Sequence, residues 1–202
     1  MKGYIQTVTG PVKKADMGLT LPHEHLFNDL SGVVDEPFYE FSHVLVDKKV
    51  SADIQWGLKY DPYCCCDNMD KKPIEDVIFE LNNFKELGGK TIVDATGSSS
   101  NGRDIRKLKQ VAELTGINVV ASSGLYIEKF EGKRLADDID AMAKMIDDEL
   151  NIGIDGTDIR AGMIGEIGVS PFFTDGEKNS LRAAALAQNN NPYASMNIHM
   201  PG

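Results

Sequence analysis

His23 and His25 stand two residues apart in Leu19-Thr20-Leu21-Pro22-His23-Glu24-His25-Leu26. Side chains at i and i+2 project from the same side of a strand, whereas on a helix they diverge by about 200°. Two imidazoles on one side of one strand can supply two ligands to a single ion, since ring nitrogens suit zinc and similar transition metals. Glu166 lies within Met163-Ile164-Gly165-Glu166-Ile167-Gly168, and a glutamate among such neighbours is uncommon unless it is paired or metal-bound. His199 closes Ala194-Ser195-Met196-Asn197-Ile198-His199. Taken singly, each has a structural explanation: polar residues at a strand end, a paired core carboxylate, a terminal surface histidine. Four potential ligands at corresponding strand ends point instead to a metal centre.

The elements that must carry these residues follow from hydrophobic pattern. From Lys90 onward, short apolar runs alternate with amphipathic stretches, the rhythm of parallel βα units. The predicted strands are the His23 segment, Thr91 to Ala95, Ile117 to Ser123, Ala161 to Gly168 and Ala194 to His199. The predicted helices are Ile74 to Leu87, Ile105 to Thr115, about Leu135 to Leu150, and Leu181 to Gln188. Ile74, Val77, Ile78, Leu81 and Phe84 recur at helical spacing, and Gly88-Gly89 stops that helix. In a βα barrel, functional groups gather at the carboxyl ends of the strands, where the four candidate ligands fall. Residues 1–17 are expected to form a small N-terminal hairpin around Thr9-Gly10-Pro11. Residues 28–73 break the rhythm and are expected to be an insertion after the first strand, packed by its own aromatics. The whole of 1–202 is expected to be one α/β domain.

Composition narrows the partners. The chain has 202 residues, 42% hydrophobic and 26% charged, an ordinary globular balance with ample material for a core. Its formal net charge of -10 argues against a nucleic-acid partner, which needs a basic face to neutralise phosphates. No apolar run reaches the roughly 18 residues of a membrane span, and the first residues lack the apolar region of a signal peptide. A cytoplasmic location with no membrane partner is the expectation. The adjacent Cys64, Cys65 and Cys66 match neither a disulfide framework nor a zinc-thiolate spacing and are expected to be reduced thiols in a loop.

With these residues in place, the chain resembles the phosphotriesterase family of the amidohydrolase superfamily. Thr20-Leu21-Pro22-His23-Glu24-His25-Leu26 is similar to the family's first-strand His-x-His motif. Gly88 to Thr96, followed by Gly102-Arg103-Asp104, is similar to its second-strand segment. Ser123-Gly124-Leu125-Tyr126 and Asn197 to Gly202 are similar to its third-strand end and fifth-strand histidine segment. The resemblance implies a TIM (β/α)8 barrel carrying two divalent ions, usually zinc, with manganese or others admissible, and a hydroxide held between them. It implies that His23 and His25 bind the more buried ion, that Glu166 bridges both as the catalytic carboxylate, and that His199 binds the more exposed one. Many relatives place a carboxylated lysine at the bridge; the resemblance here is to a glutamate-bearing subset that needs no such modification. The implied reaction is attack of metal-held hydroxide on a small-molecule ester, lactone or phosphoester, with Tyr126 lining the substrate pocket. Asp94 and the Gly102-Arg103-Asp104 turn are read as structural, Asp104 as a helix N-cap.

The sequence departs from the family pattern after the fifth strand, because the family's sixth-strand histidine and eighth-strand aspartate have no counterpart here. A complete barrel usually takes about 250 residues, so only the first five βα units are expected, as part of a longer or truncated protein. A homodimer through the open sheet edges is a further possibility. The alternative function is a non-catalytic folding or interaction unit with an incomplete metal site.

Overall fold

The chain, described by a computed structural model over residues 3–136 and 138–200, begins with an antiparallel hairpin of β1 (Tyr4–Thr7) and β2 (Gly10–Lys13). Met1, Lys2, Asp137, Pro201 and Gly202, which belong to segments discussed above, lie outside the described residues. The Val8 amide donates to the Val119 carbonyl at 2.8 Å, which ties the hairpin to the central sheet.

That sheet contains β3 (Leu19–Glu24), β4 (Gly89–Asp94), β5 (Asn118–Ser123), β6 (Met163–Gly168) and β7 (Ser195–His199), paired in parallel and in chain order. The plan is the expected one: five consecutive strands of a βα barrel, present as an open half. β5 and β6 are buried almost throughout, as parallel strands covered on both faces must be, whereas the edge strands β3 and β7 are exposed or half-buried along their length.

Between β3 and β4 the insertion coils through single-turn helices, including α1 (Gln55–Leu58) and α2 (Cys66–Met69). Its buried centre is Leu45, Ser42, Cys64 and Cys65, joined by Ile54, while the exposed Phe38, Trp56 and Tyr60 pack around it through Tyr39 and Phe41. Short irregular turns leave narrow gaps, and small thiols fill such gaps better than rings do. All three cysteines are free; Cys66 alone faces solvent.

The long helices α3 (Ile74–Glu86) and α4 (Ile105–Thr115) cover one flank of the sheet. Val77, Leu81, Leu108 and Val111 meet Ile92, Val119 and Ala121 in the largest core cluster. Each such side chain contributes about 1.5–3 kcal/mol relative to exposure. Asp104 caps α4 by accepting from the Lys107 amide at 3.1 Å, as its position suggested, and Gly116 ends the helix in the left-handed region. After β5 come the short α5 (Glu128–Glu131) and a 3-10 turn over Gly132–Ala136. The next helix, α6 (Ile139–Asn151), therefore starts later than Leu135, at the point where Asp138 accepts from the Ala141 amide. The last helix, α7 (Asp175–Asn190), starts six residues before Leu181. Its first turns carry no apolar period. They are set by a capping box in which the Glu177 amide donates to Thr174 Oγ1 and the Thr174 amide to Glu177 Oε2.

Two buried charges lock the ends of the strands that face the candidate site. The Arg103 guanidinium, 6% exposed, grips both Glu149 carboxylate oxygens at 2.7 Å and donates to the carbonyls of Gly97 and Ser122 just beyond or at the end of β4 and β5. Burial opposes its charge, but Glu149 and Asp155 outweigh that and raise its pKa further. Replacing Arg103 with Met leaves Glu149 buried without its partner. The expected loss is about 3–5 kcal/mol in urea-unfolding stability, and a loss under 1 kcal/mol would show that the pair is not structural.

Glu177 plays the same part after β6, accepting from the amides of Glu128, Ser170 and Thr174 and from the Ser170 hydroxyl. Burial opposes its ionisation, and these donors more than offset it, so its carboxyl titrates below the usual range. A depressed folded-state pKa gives stability that is present above the unfolded value and lost as pH falls through the folded one. Glu177→Gln should therefore cost about 1–3 kcal/mol at pH 7, with the gap to the unmodified protein closing below about pH 4. Urea unfolding across pH checks this, and a gap that persists unchanged at low pH would refute it.

Candidate metal centre

Four strands deliver their inward-facing polar residues to one end of the sheet. β3 carries His23, with His25 one residue past its end; β6 carries Glu166; β7 carries Asn197 and His199; the segment after β5 carries Tyr126. His23 Nε2 lies 3.4 Å from Glu166 Oε1, and His25 Nε2 lies 3.6 Å from Glu166 Oε2. His199 Nδ1 is closer, 2.5 Å from Glu166 Oε1. The sequence-selected residues His23, His25, Glu166 and His199 are thus brought together.

His23, His25 and Glu166 each offer a ligand atom, all within 4.8 Å of one another. The 3.4 and 3.6 Å separations exceed an ordinary hydrogen bond. They approach the roughly 3.3 Å that separates two ligands on one tetrahedral zinc. This donor set of imidazole nitrogens and one carboxylate fits a divalent transition ion. His199 stands outside that three-residue cluster but against the same Glu166 Oε1 that faces His23.

Glu166 is 3% exposed. Its charged-group neighbours are the three histidines; among the described residues no lysine or arginine pairs with it. The backbone that presents it is crowded. Gly165, at φ 124°, approaches so near that a Cβ there would sit 2.5 Å from the Asn197 carbonyl oxygen, and a Cβ on Gly97 would sit 2.6 Å from that of Gly165. Only glycine satisfies both the conformation and the approach. The Glu166 amide donates to the Ala95 carbonyl at 3.0 Å, which fixes the height of the carboxylate relative to β4.

Tyr126 stands over His199, with ring centroids 5.0 Å apart and its hydroxyl 3.0 Å from Nε2. Burial pushes its pKa well above the ordinary value, and the Glu166 charge adds to the effect. The phenol therefore keeps its proton, and its oxygen pairs with Nε2, leaving Nδ1 as the nitrogen turned toward Glu166. The buried Glu131 carboxylate accepts from the Tyr126 amide and the Ser98 hydroxyl, joining the segments after β5 and β4.

Two residues not singled out from sequence complete the surroundings. Thr96 Oγ1 lies 2.9 Å from His25 Nδ1, and Asn197 Nδ2 lies 3.4 Å from His23 Nδ1. A period-two signal was available for both: Thr96 follows Asp94 by two residues, and Asn197 precedes His199 by two. Asp94, read from sequence as structural, accepts from the amides of Leu26 and Thr96 and so pins the backbone beside His25. Burial raises its pKa against the pull of those donors.

The sequence profile of the phosphotriesterase family matches residues 3–200. An N-acetyltaurine hydrolase of Xenopus tropicalis is 33% identical over 190 residues, covering 93% of this chain and 54% of that protein. Among solved structures, a resiniferatoxin-binding protein from Rhodobacter sphaeroides superposes with a TM-score of 0.91 at 37% identity, covering 99% of this chain and 56% of its own. A phosphotriesterase homology protein from Escherichia coli, complexed with phosphate in its active site, gives a TM-score of 0.69 at 29% identity, covering 92% of this chain and 54% of its own. The chain spans about half the length of these relatives. With the profile running from the N-terminal hairpin through β7, the chain belongs to the phosphotriesterase family.

Proposed function

We propose that the protein carrying this chain is a metal-dependent hydrolase of small molecules, with His23, His25, Glu166 and His199 holding two divalent ions, zinc first and manganese as the alternative. The observation that carries this reading is the Glu166 carboxylate. It is buried, lies between three imidazoles and lacks a lysine or arginine partner among the described residues. Burying an isolated carboxylate is costly, and a cation shared with imidazoles offsets that cost.

Divalent ions at such a site lower the pKa of a bound water toward neutrality and polarise a carbonyl or phosphoryl oxygen. The chain's own residues then have separable tasks. His23 and His25 form the inner pair of ligands, Glu166 joins the two halves of the site, and His199 supplies the outer ligand. Tyr126 holds His199 through Nε2 and presents its ring on the side where a leaving group would pack. The substrate classes that suit this chemistry are esters, lactones and phosphoesters. The name of the Xenopus relative adds an N-acetyl amide, whose carbonyl is the same kind of electrophile. A second reading, a non-catalytic folding unit with an incomplete site, draws on the chain's spanning about half the length of its relatives.

His23→Ala and Glu166→Gln, made in the whole protein that carries this chain, should each remove bound metal and lower hydrolysis at least a hundredfold on the substrate turned over fastest among lactones, phosphoesters and N-acetyl amines. Elemental analysis after dialysis, alongside those assays, checks both. Two metals retained per chain in either variant would defeat the ligand assignment, and metal bound without any turnover would favour the second reading. Because Glu166 brings its own carboxylate, zinc loading of the metal-free protein should be the same with and without bicarbonate. Loading that requires bicarbonate would point to a carboxylated lysine instead.

A further inference from the structure

His23 and His25 turn the same nitrogen, Nε2, toward Glu166, and each turns Nδ1 toward a neutral side chain, Asn197 on β7 for His23 and Thr96 just past β4 for His25. A histidine that ligates through one nitrogen generally donates its other N–H to a fixed acceptor, which sets both the tautomer and the ring orientation. We propose that Thr96 and Asn197 are positioning residues that hold His25 and His23 as Nδ1–H tautomers, leaving both Nε2 lone pairs directed into the site. The inference rests on the metal-dependent reading above.

For His25 the direction of the bond follows from its surroundings. Thr96 Oγ1 is 2.9 Å from Nδ1, and the Thr96 amide donates to Asp94 Oδ1, which fixes the threonine beside the ring. A hydroxyl has one proton to give. Its oxygen also carries two lone pairs, and with His25 Nε2 turned toward Glu166 to ligate, Nδ1–H donates to one of them. Asp94 thus fixes the Thr96 backbone, and Thr96 in turn supports His25.

For His23 the partner is an amide, whose oxygen and nitrogen are interchangeable by a half-turn of the side chain. As placed, Asn197 Nδ2 faces Nδ1 at 3.4 Å while Oδ1 is buried without a donor. Turned over, Oδ1 accepts from Nδ1–H, which is the orientation that frees Nε2. Asn197 shares its strand face with His199, two residues on, so one stretch of β7 supplies a ligand and the support of another ligand.

The test uses the whole protein, selectively 15N-labelled at histidine and freed of metal. Long-range 1H–15N spectra at pH 8 should show Nδ1–H tautomers for His23 and His25; Nε2–H tautomers at both would overturn the proposal. Thr96→Val and Asn197→Leu keep shape but remove the acceptor, and each should weaken zinc binding 10- to 100-fold by chelator competition. Thr96→Ser should restore affinity to within about threefold, which a purely packing role for Thr96 would not explain. Affinities for Thr96→Val and Asn197→Leu within about twofold of the unmodified protein, with melting temperatures also unchanged, would overturn it. If the unmodified protein shows both Nδ1–H tautomers yet takes up no zinc, the metal-dependent reading falls while the tautomer assignment stands.

Discussion

A carboxylate buried inside a strand with only imidazoles for company is the constraint around which this half-barrel is arranged. Glu166 interrupts the most deeply buried strand of the sheet, in a place where a leucine or valine would pack without penalty. Desolvating that charge costs several kcal/mol unless something answers it. The residues that converge on it are imidazoles from both edge strands, so the first and last strands of the sheet meet electrostatically at a strand in its interior. A divalent cation would balance such a set, and the proposed metal-dependent reading rests on that charge balance.

The scaffold shows how a parallel sheet holds such a site steady. Backbone amides at the carboxyl ends of parallel strands run out of strand partners, and here buried side chains take over. Arg103 clasps a carbonyl beyond β4 and one at the end of β5 while paired with Glu149. Asp94 takes the amides of Leu26 and Thr96, Glu131 takes that of Tyr126, and Glu177 takes one amide after β5 and two after β6. Four buried charged residues, none of them a candidate ligand, thus hold fixed the segments that carry the ligands. Fixed ligands reorganise little when an ion binds, which is the benefit of building a site on rigid elements.

Much of this was legible in advance, and the reasons are specific. The strand alternation from Lys90 onward is strong because each βα unit must bury its strand on both faces, which leaves an apolar run too short to be a helix. The start of α7 was not legible, because its first two turns bury Glu177 and Ser180 rather than an apolar stripe, and periodicity begins only at Leu181. In the insertion the aromatics announced a cluster, and Phe38, Tyr39, Phe41, Trp56 and Tyr60 do meet ring to ring, but nothing in the sequence told that the thiols of Cys64 and Cys65 would occupy the buried centre beneath them.

The sequence by itself determined the candidate ligand types and their strands, because a period of two puts His23 with His25, and a glutamate amid apolar residues declares itself unusual. It also determined the order of the units, since consecutive βα units in a parallel sheet lie side by side. Only the tertiary structure decided which nitrogen of each histidine faces Glu166, that Tyr126 rests on His199, and that Thr96 and Asn197 stand behind the inner pair. Those contacts join residues about 70 to 170 positions apart, brought together by the twist and closure of the sheet. No local pattern encodes that closure, because it arises from the packing of all five units at once.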